Sequence, residues 1–431
     1  MTVTPRPGTT FSALGHRDFR VFWVGNVVSM LGTAMHSFAL GWLVVQLAER
    51  DGEPGRAGLY LGLVGLSHAL PSIVMALVAG VAVDHADRRL LLFVANTSAL
   101  VVSAVLATLT LTGAVTLVWI VVLSVAGSAM TSFEPLTRQA ILPRLTDPDM
   151  LVSAVGLNIA AVEVAWLLGP LLGGVLLGPV GTGGLMVVGS VFYVAAFWSL
   201  ARLPAQPSVT TGPRPGLFAS IGEGLAYLRG SRFLRRQLLL GAVCVVLAEP
   251  YAPLLPAFVD EALGLGGLEL SWLGAAAAIG GLVATLVAAS LASVRRPGLV
   301  FVAGSLGAGL SLALFAVQSD LAPALALMAA VGFCTSLVAT VGTTVIQLVT
   351  PDHLRGRAVS VEAFMVQTGV PGGALLLGSL GTLAGIDVAM AAGGAALALV
   401  SVAFLVWAPS LRATPTVTTS HPGHGRARAG G

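Results

Sequence analysis

Five ionisable side chains stand inside stretches too apolar to face water: Glu163, Glu249 and Glu362, with His36 and His68. A charge at the centre of a bilayer costs at least ~2.5–3.5 kcal/mol on insertion scales, so each such residue needs a partner or a wet interior. Carboxyl and imidazole groups in that setting suit two tasks, binding a cationic substrate and carrying protons. The competing reading for each is a buried hydrogen bond that ties helices together.

The rest of the composition says what must position them. Apolar residues make up 56% of 431 and charged residues only 10%, a balance that a water-soluble domain of this size does not carry, so lipid is the solvent for much of the chain. Its 53 glycines read as sites of close helix packing. The net charge of +3 comes from arginines scattered between apolar runs without forming one basic face, which excludes nucleic acid as a partner. Cys244 and Cys334 both lie in apolar runs and support neither a disulfide framework nor a metal site. The chain has no Gly-Lys-Ser/Thr phosphate loop, no Gly-x-Ser-x-Gly and no His-Glu-x-x-His, so no cofactor is expected, and a membrane-embedded enzyme or a self-contained ATP-driven pump is disfavoured.

A spanning helix needs about 20 mainly apolar residues. Breaking the chain at its charged and turn-rich points predicts twelve, over 21–48, 58–83, 90–112, 115–133, 151–177, 184–201, 237–259, 271–294, 299–317, 323–349, 358–384 and 388–408. The first run is too long for the core of a cleavable signal peptide. Twelve spans place all arginines but Arg50 and Arg56 on one side, which the retention of basic residues makes the cytoplasmic side, with both termini there.

The expected organisation is therefore a cytoplasmic segment over 1–20, a six-helix bundle over 21–201, a central cytoplasmic loop over 202–236, a second six-helix bundle over 237–408 and a disordered cytoplasmic tail over 409–431. The central loop carries a helical pattern of Leu217, Ile221, Leu225 and Leu228, which fits either a short amphipathic helix on the lipid surface or a solvated linker. An internal echo accompanies the division: Pro148-Asp149-Met150-Leu151 returns as Pro351-Asp352-His353-Leu354, and the same offset carries Gly169 onto Gly372.

Two motifs carry a family likeness. Gly80-Val81-Ala82-Val83-Asp84-His85-Ala86-Asp87-Arg88-Arg89 resembles the loop between helices 2 and 3 of the major facilitator superfamily, matching it at Gly80, Asp84, Arg88 and Arg89 and departing at His85 and Asp87. Such a turn suits a gate, because its acids and arginines can pair with helix ends in one conformation and release them in another. Ala165-Trp166-Leu167-Leu168-Gly169-Pro170-Leu171-Leu172-Gly173-Gly174 is similar to that superfamily's antiporter motif, with Ala165 in place of its first Gly; Pro170 bends the helix, while Gly169, Gly173 and Gly174 admit a close neighbour.

With the stretch Phe19 to Leu47 and the loop Arg138-Gln139-Ala140-Ile141-Leu142-Pro143, these motifs make residues 19–408 look like the drug and siderophore exporter branch of the superfamily. The resemblance implies an all-α membrane protein of two pseudo-symmetric six-helix bundles, a monomer, that exports a small hydrophobic or amphipathic compound by proton-coupled alternating access. The helix 1 acid of that branch is replaced by Thr33 after Leu31-Gly32, which keeps an importer or uniporter of the same fold in play.

Depth selects the candidates for substrate and proton coupling. Glu163 and Glu249 are each the thirteenth residue of a span, which at 1.5 Å per residue puts both about 18 Å deep. His36 and His68 lie at a similar level, and Pro250, Pro253 and Pro256 after Glu249 must interrupt the hydrogen-bond ladder of helix 7. Gln347, Asn158 and Asn26 are further candidates for hydrogen bonds to cargo or between helices. Glu362, about one turn inside helix 11, is expected to pair with Arg355 or Arg357.

Overall fold

The computed structural model describes residues 12–85, 87–202, 217–290 and 296–408. The expected disordered tail and residues 1–11 lie outside that range. The described residues form α-helices joined by short turns, with three brief 3₁₀ segments and no strand. In chain order the helices are α1 (Arg17–Arg50), α2 (Ala57–His85), α3 (Arg88–Leu111), α4 (Leu117–Thr131), α5 (Glu134–Leu145), α6 (Leu151–Arg202), α7 (Leu217–Gly230), α8 (Arg232–Leu247), α9 (Tyr251–Glu261), α10 (Gly267–Ser290), α11 (Pro297–Ala316), α12 (Leu321–Val349), α13 (Asp352–Ala384) and α14 (Ile386–Trp407).

Among the described residues ten stretches are long and apolar enough to cross a membrane, with α8 and α9 together making one of them. The 52 residues of α6 hold two spans, because the chain reverses at Gly181, whose φ of 70° is open to glycine at little steric cost. Counting its two arms separately and adding the shorter apolar α4 gives twelve spans. Gly385, at φ 99°, makes the corresponding tight reversal between α13 and α14. Twelve spans return the chain to the side from which it started, so Ser12 and Ala408 lie at one end of the described molecule, called the termini end below, and the opposite end is called the far end.

The helices fall into two six-span halves, and glycine decides where they touch. In the first half Gly169 and Gly173, one turn apart on α6, lie against Ala34 and Phe38 of α1. In the second half Gly369 and Gly373, one turn apart on α13, lie against Val245 and Val246 of α8. The same helix pair is thus closed by the same device in each half, although Gly372, the position matched by the sequence echo, has open space beside it. Between the halves α2 packs on α13 and α6 packs on α10.

Residues 134–145, expected as a loop, fold instead as α5. Pro135 suits a helix start, Glu134 and Arg138 pair at i,i+4, and Ile141, Leu142 and Leu145 bury against Phe19, Phe22 and Leu92. Composition hides this helix because its apolar face is so narrow. The pattern of Leu217, Ile221, Leu225 and Leu228 forms a helix, α7, which is docked on the bundle. Leu228 is fully buried, the Tyr227 hydroxyl donates to the Val349 carbonyl at 3.2 Å, and Glu223 pairs with Arg357, which together dock α7 on α12 and α13.

Candidate functional site

A cavity of about 1270 Å³ lies between the halves and is lined by both. Glu163, Trp166 and Pro170 face it from one stripe of α6, at the i, i+3, i+7 spacing that aligns side chains along a helix. His36 of α1 and His68 of α2 also line it, so three of the ionisable candidates share one space. His36 is oriented by a chain of hydrogen bonds, its Nδ1 standing 3.2 Å from the Ser103 hydroxyl, which donates to the Met186 carbonyl at 3.1 Å.

Glu249 is placed differently. It sits in the break between α8 and α9, at residues 248–250, and is not among the residues that line the cavity. Only one of the three prolines accounts for the break: Pro250 has no N–H to continue the ladder of α8, Pro253 falls in the first turn of α9 where no intrahelical partner is needed, and Pro256 is accommodated inside α9. The cavity wall resumes immediately after the acid, with Tyr251, Pro253, Leu255 and Pro256.

The amide candidates lie outside the cavity lining. Asn26 donates to the Asn158 side-chain oxygen at 2.8 Å, joining α1 to α6 beside a second tie from the Trp23 indole to the Leu157 carbonyl, also 2.8 Å. Gln347 is exposed near the termini end, where its carbonyl accepts from Arg355 Nε at 2.8 Å. Glu362 takes neither arginine expected for it: its Oε2 accepts from the Thr343 hydroxyl at 2.9 Å, and Arg357 is engaged by Glu223 of α7.

Sequence reasoning misses one charged group. Glu134 lines the cavity near its termini end and pairs with Arg138, which is 6% exposed and reaches Ser29 Oγ at 3.5 Å. Ser29 in turn donates to Asn96 at 2.9 Å, and the Tyr193 hydroxyl donates to Thr33 at 3.2 Å, giving a polar wall on the first half. The signal is the i,i+4 spacing of Glu134 and Arg138, which reading the segment as a loop conceals.

The cavity is closed at the far end by backbone. A Cβ added at Gly62 would fall 2.6 Å from Leu375 Cα, one at Gly58 would lie 3.3 Å from Gly378 Cα, and one at Gly174 would come within 3.0 Å of the Gly267 carbonyl. Pro256 of α9 stands 3.1 Å from a Cβ added at Gly41 of α1. Beyond this seal the Glu53 carboxyl is held below the usual carboxylate range, first by the Tyr60 hydroxyl at 2.6 Å and then by Arg56. Toward the termini end the lining continues to Ser132, Glu134 and Ser360.

One motif lies at the termini end and the other runs along the cavity wall. Gly80 and Asp84 belong to α2; Asp87 caps α3 by accepting from the Arg89 N–H at 2.8 Å, and the Arg89 guanidinium donates to the Ala201 carbonyl at 2.8 Å, joining the start of α3 to the end of α6. Arg88 opens α3 beside it. In the second motif Ala165 is fully buried, Gly169 and Gly173 meet α1, Gly174 meets Ser271 of α10, and Pro170 faces the cavity, so one helix joins its own half to the other. Among the described residues no three His, Cys, Asp or Glu side chains gather as a metal site would require.

The profile of a family described as transmembrane secretion effectors matches residues 8–422. The enterobactin exporter EntS of Shigella boydii is 25% identical over 412 residues, covering 94% of this chain and 96% of that protein. The protein of the same name from Salmonella choleraesuis is 24% identical over 371 residues, 85% of this chain and 86% of that one. Among solved structures a mutant form of the nucleoside transporter NupG superposes with a TM-score of 0.71 at 13% identity over 89% of this chain and 99% of its own. A bacterial homologue of the lysosomal transporter Spinster, inward-facing and unoccupied, gives 0.64 at 15% identity over 92% and 95%. At these identities the two structures speak for the fold.

Proposed function

We propose, from the premise that the chain belongs to the transmembrane secretion effector family of the major facilitator superfamily, that it exports a small amphipathic compound across the cell membrane by proton-coupled alternating access. It is a multi-pass membrane transporter and not an enzyme. The observation that carries the export reading is the cavity itself, sealed by backbone contacts between the halves at the far end, lined down to the termini end and faced by Glu163, which has no cation partner among the described residues.

The arginine distribution favours placing the termini in the cytoplasm, so the sealed end faces outward. Cargo then enters from the cytoplasmic side, and rocking of the halves about the α2–α13 and α6–α10 contacts exposes it to the outside. The lining is mainly apolar with a few polar groups, as expected of a site for amphipathic cargo. The exporters named among the relatives support the outward direction. The motif at Gly169-Pro170 supports exchange for protons, and Glu163 and Glu249 are the acids proposed to take part.

Efflux from reconstituted vesicles loaded with a fluorescent amphipathic dye tests the proposal. The rate is expected to rise roughly tenfold under an opposing pH gradient, within the ~5–150-fold that coupling free energies supply. It should return to the basal rate when an ionophore collapses the gradient. Full efflux without any gradient would mark a uniporter, the reading that Thr33 in place of a helix 1 acid also permits.

A further inference from the structure

The two walls of the cavity differ in charge. Among the described residues every acid and histidine that lines it, His36, His68, Glu134 and Glu163, comes from the first half. The described second half contributes no Asp, Glu, Arg or His; its wall is Leu255, Ala278, Phe364 and Pro371, with Tyr251 and Gln367 among its few polar groups. Glu134 is neutralised by Arg138. Glu163 is exposed, and among the described residues no cation pairs with it. No described arginine lines the cavity, so Glu163 is the one carboxyl of the described lining without a basic partner.

Aromatic faces accompany that charge. Trp166 follows Glu163 by one helical turn on the same stripe, and Tyr193 lines the same half. A carboxylate beside an indole is an arrangement that holds a soft organic cation, by Coulomb attraction strengthened in a cavity of low dielectric and by the ring quadrupole. An anion would meet an uncompensated like charge on one side and an apolar surface, with no donor cation, on the other.

We propose that the cargo is a lipophilic monocation whose charged centre docks at Glu163 and Trp166 on the first half while its apolar body lies against Phe364 and Leu255 of the second. The inference rests on the exporter reading for its physiological meaning, but its binding chemistry stands on the cavity alone. It assigns charge selectivity to one half and the apolar contact to the other, so the cation stays with α6 as the halves rock.

Tetraphenylphosphonium and tetraphenylborate test this, because they share one apolar body and differ in the sign of the charge. Equilibrium dialysis against the purified full-length protein in lipid nanodiscs is expected to show the phosphonium bound at least about tenfold more tightly than the borate. Glu163→Gln should reduce that preference to within about twofold, and Glu163→Asp should restore most of it. Trp166→Leu should weaken the phosphonium roughly fivefold and leave the borate unchanged. Equal binding of the two ions, or a cation preference that survives Glu163→Gln, would overturn the proposal. Efflux measured in parallel separates the two readings. Preferential binding without efflux counts against export and supports the charge assignment, whereas efflux of both ions at equal rates leaves export standing and sinks the charge assignment.

Discussion

Replacing Glu249 with Gln is expected to cut gradient-driven efflux by at least about tenfold, within the range that coupling free energies of ~1–3 kcal/mol supply, while the protein accumulates in the membrane at its normal level. Glu249 occupies the non-helical step between α8 and α9, and no hydrogen bond to its side chain is found among the described residues. Directly beyond it α9 carries two functions at once. Tyr251, Pro253 and Leu255 form cavity wall, and Pro256 presses on Gly41 of α1 in the other half.

A change in the charge of Glu249 therefore acts on the hinge of the helix that both contacts cargo and helps to seal the far end. Glutamine keeps the size and hydrogen-bonding reach of the side chain and removes only its ability to take up and release a proton, so α8, α9 and their packing on Gly373 and Gly393 remain. Efflux in vesicles of stepped internal and external pH gives the readout. A Glu249→Gln protein whose rate still follows the gradient as the wild type does would reduce the acid to a structural role.

The second large effect is expected at the seal. Gly62→Val should lower efflux at least about tenfold and raise the labelling rate of Ser37→Cys, a cavity position, by a membrane-impermeant maleimide applied from the far side. The added Cβ would meet Leu375 Cα at 2.6 Å, Leu375 N at 2.8 Å and the Ala374 carbonyl at 2.9 Å, all backbone, so rotamer change in a neighbour cannot relieve it. Nor can α13 retreat, because Gly373 already lies against the backbone of α8 and the ring of Pro250. Overpacking of this kind costs ~1–3 kcal/mol, and here the cost falls on the conformer in which the far end is closed. Unchanged efflux with unchanged labelling would show that the α2–α13 contact is no part of the cycle.

The fold was legible where the physics acts along the chain. A spanning helix must supply about 20 apolar residues and its turns must be polar, so length and composition locate the spans, and the arginines between them separate the two ends. What acts across the chain was less legible. Depth placed Glu163 and Glu249 at one level, but depth says nothing of azimuth: Glu163 shares a stripe with Trp166 and Pro170 and faces the cavity, whereas Glu249 leaves a helix that has stopped and stands apart from the lining.

Only some of the glycines are packing sites, Gly156, Gly274 and Gly372 having open space beside them, and the partners of those that are, Ala34 and Phe38 for one pair and Val245 and Val246 for the other, depend on which helices become neighbours. Glu134 and Arg138 are hard to see because a short segment that also carries Gln139, Pro143 and Arg144 looks like a loop, and only the burial of Ile141 and Leu142 beneath them makes it a helix. Asn26 and Asn158 find each other across 132 positions, a pairing that no local pattern announces.

For cargo to leave, the halves must part at the far end, and a reversible lock across them stops that motion. A Cβ at Gly65 would stand 3.8 Å from Pro371 Cβ, close to the ~3.8 Å that disulfides typically show. The double variant Gly65→Cys, Pro371→Cys, with Cys244 and Cys334 changed to Ser, is therefore expected to cross-link under mild oxidant. Efflux from vesicles should fall to the protein-free level when the bond is closed and recover when a reductant opens it. Undiminished efflux from fully cross-linked protein would contradict the account, because cargo would then be leaving without the halves ever separating.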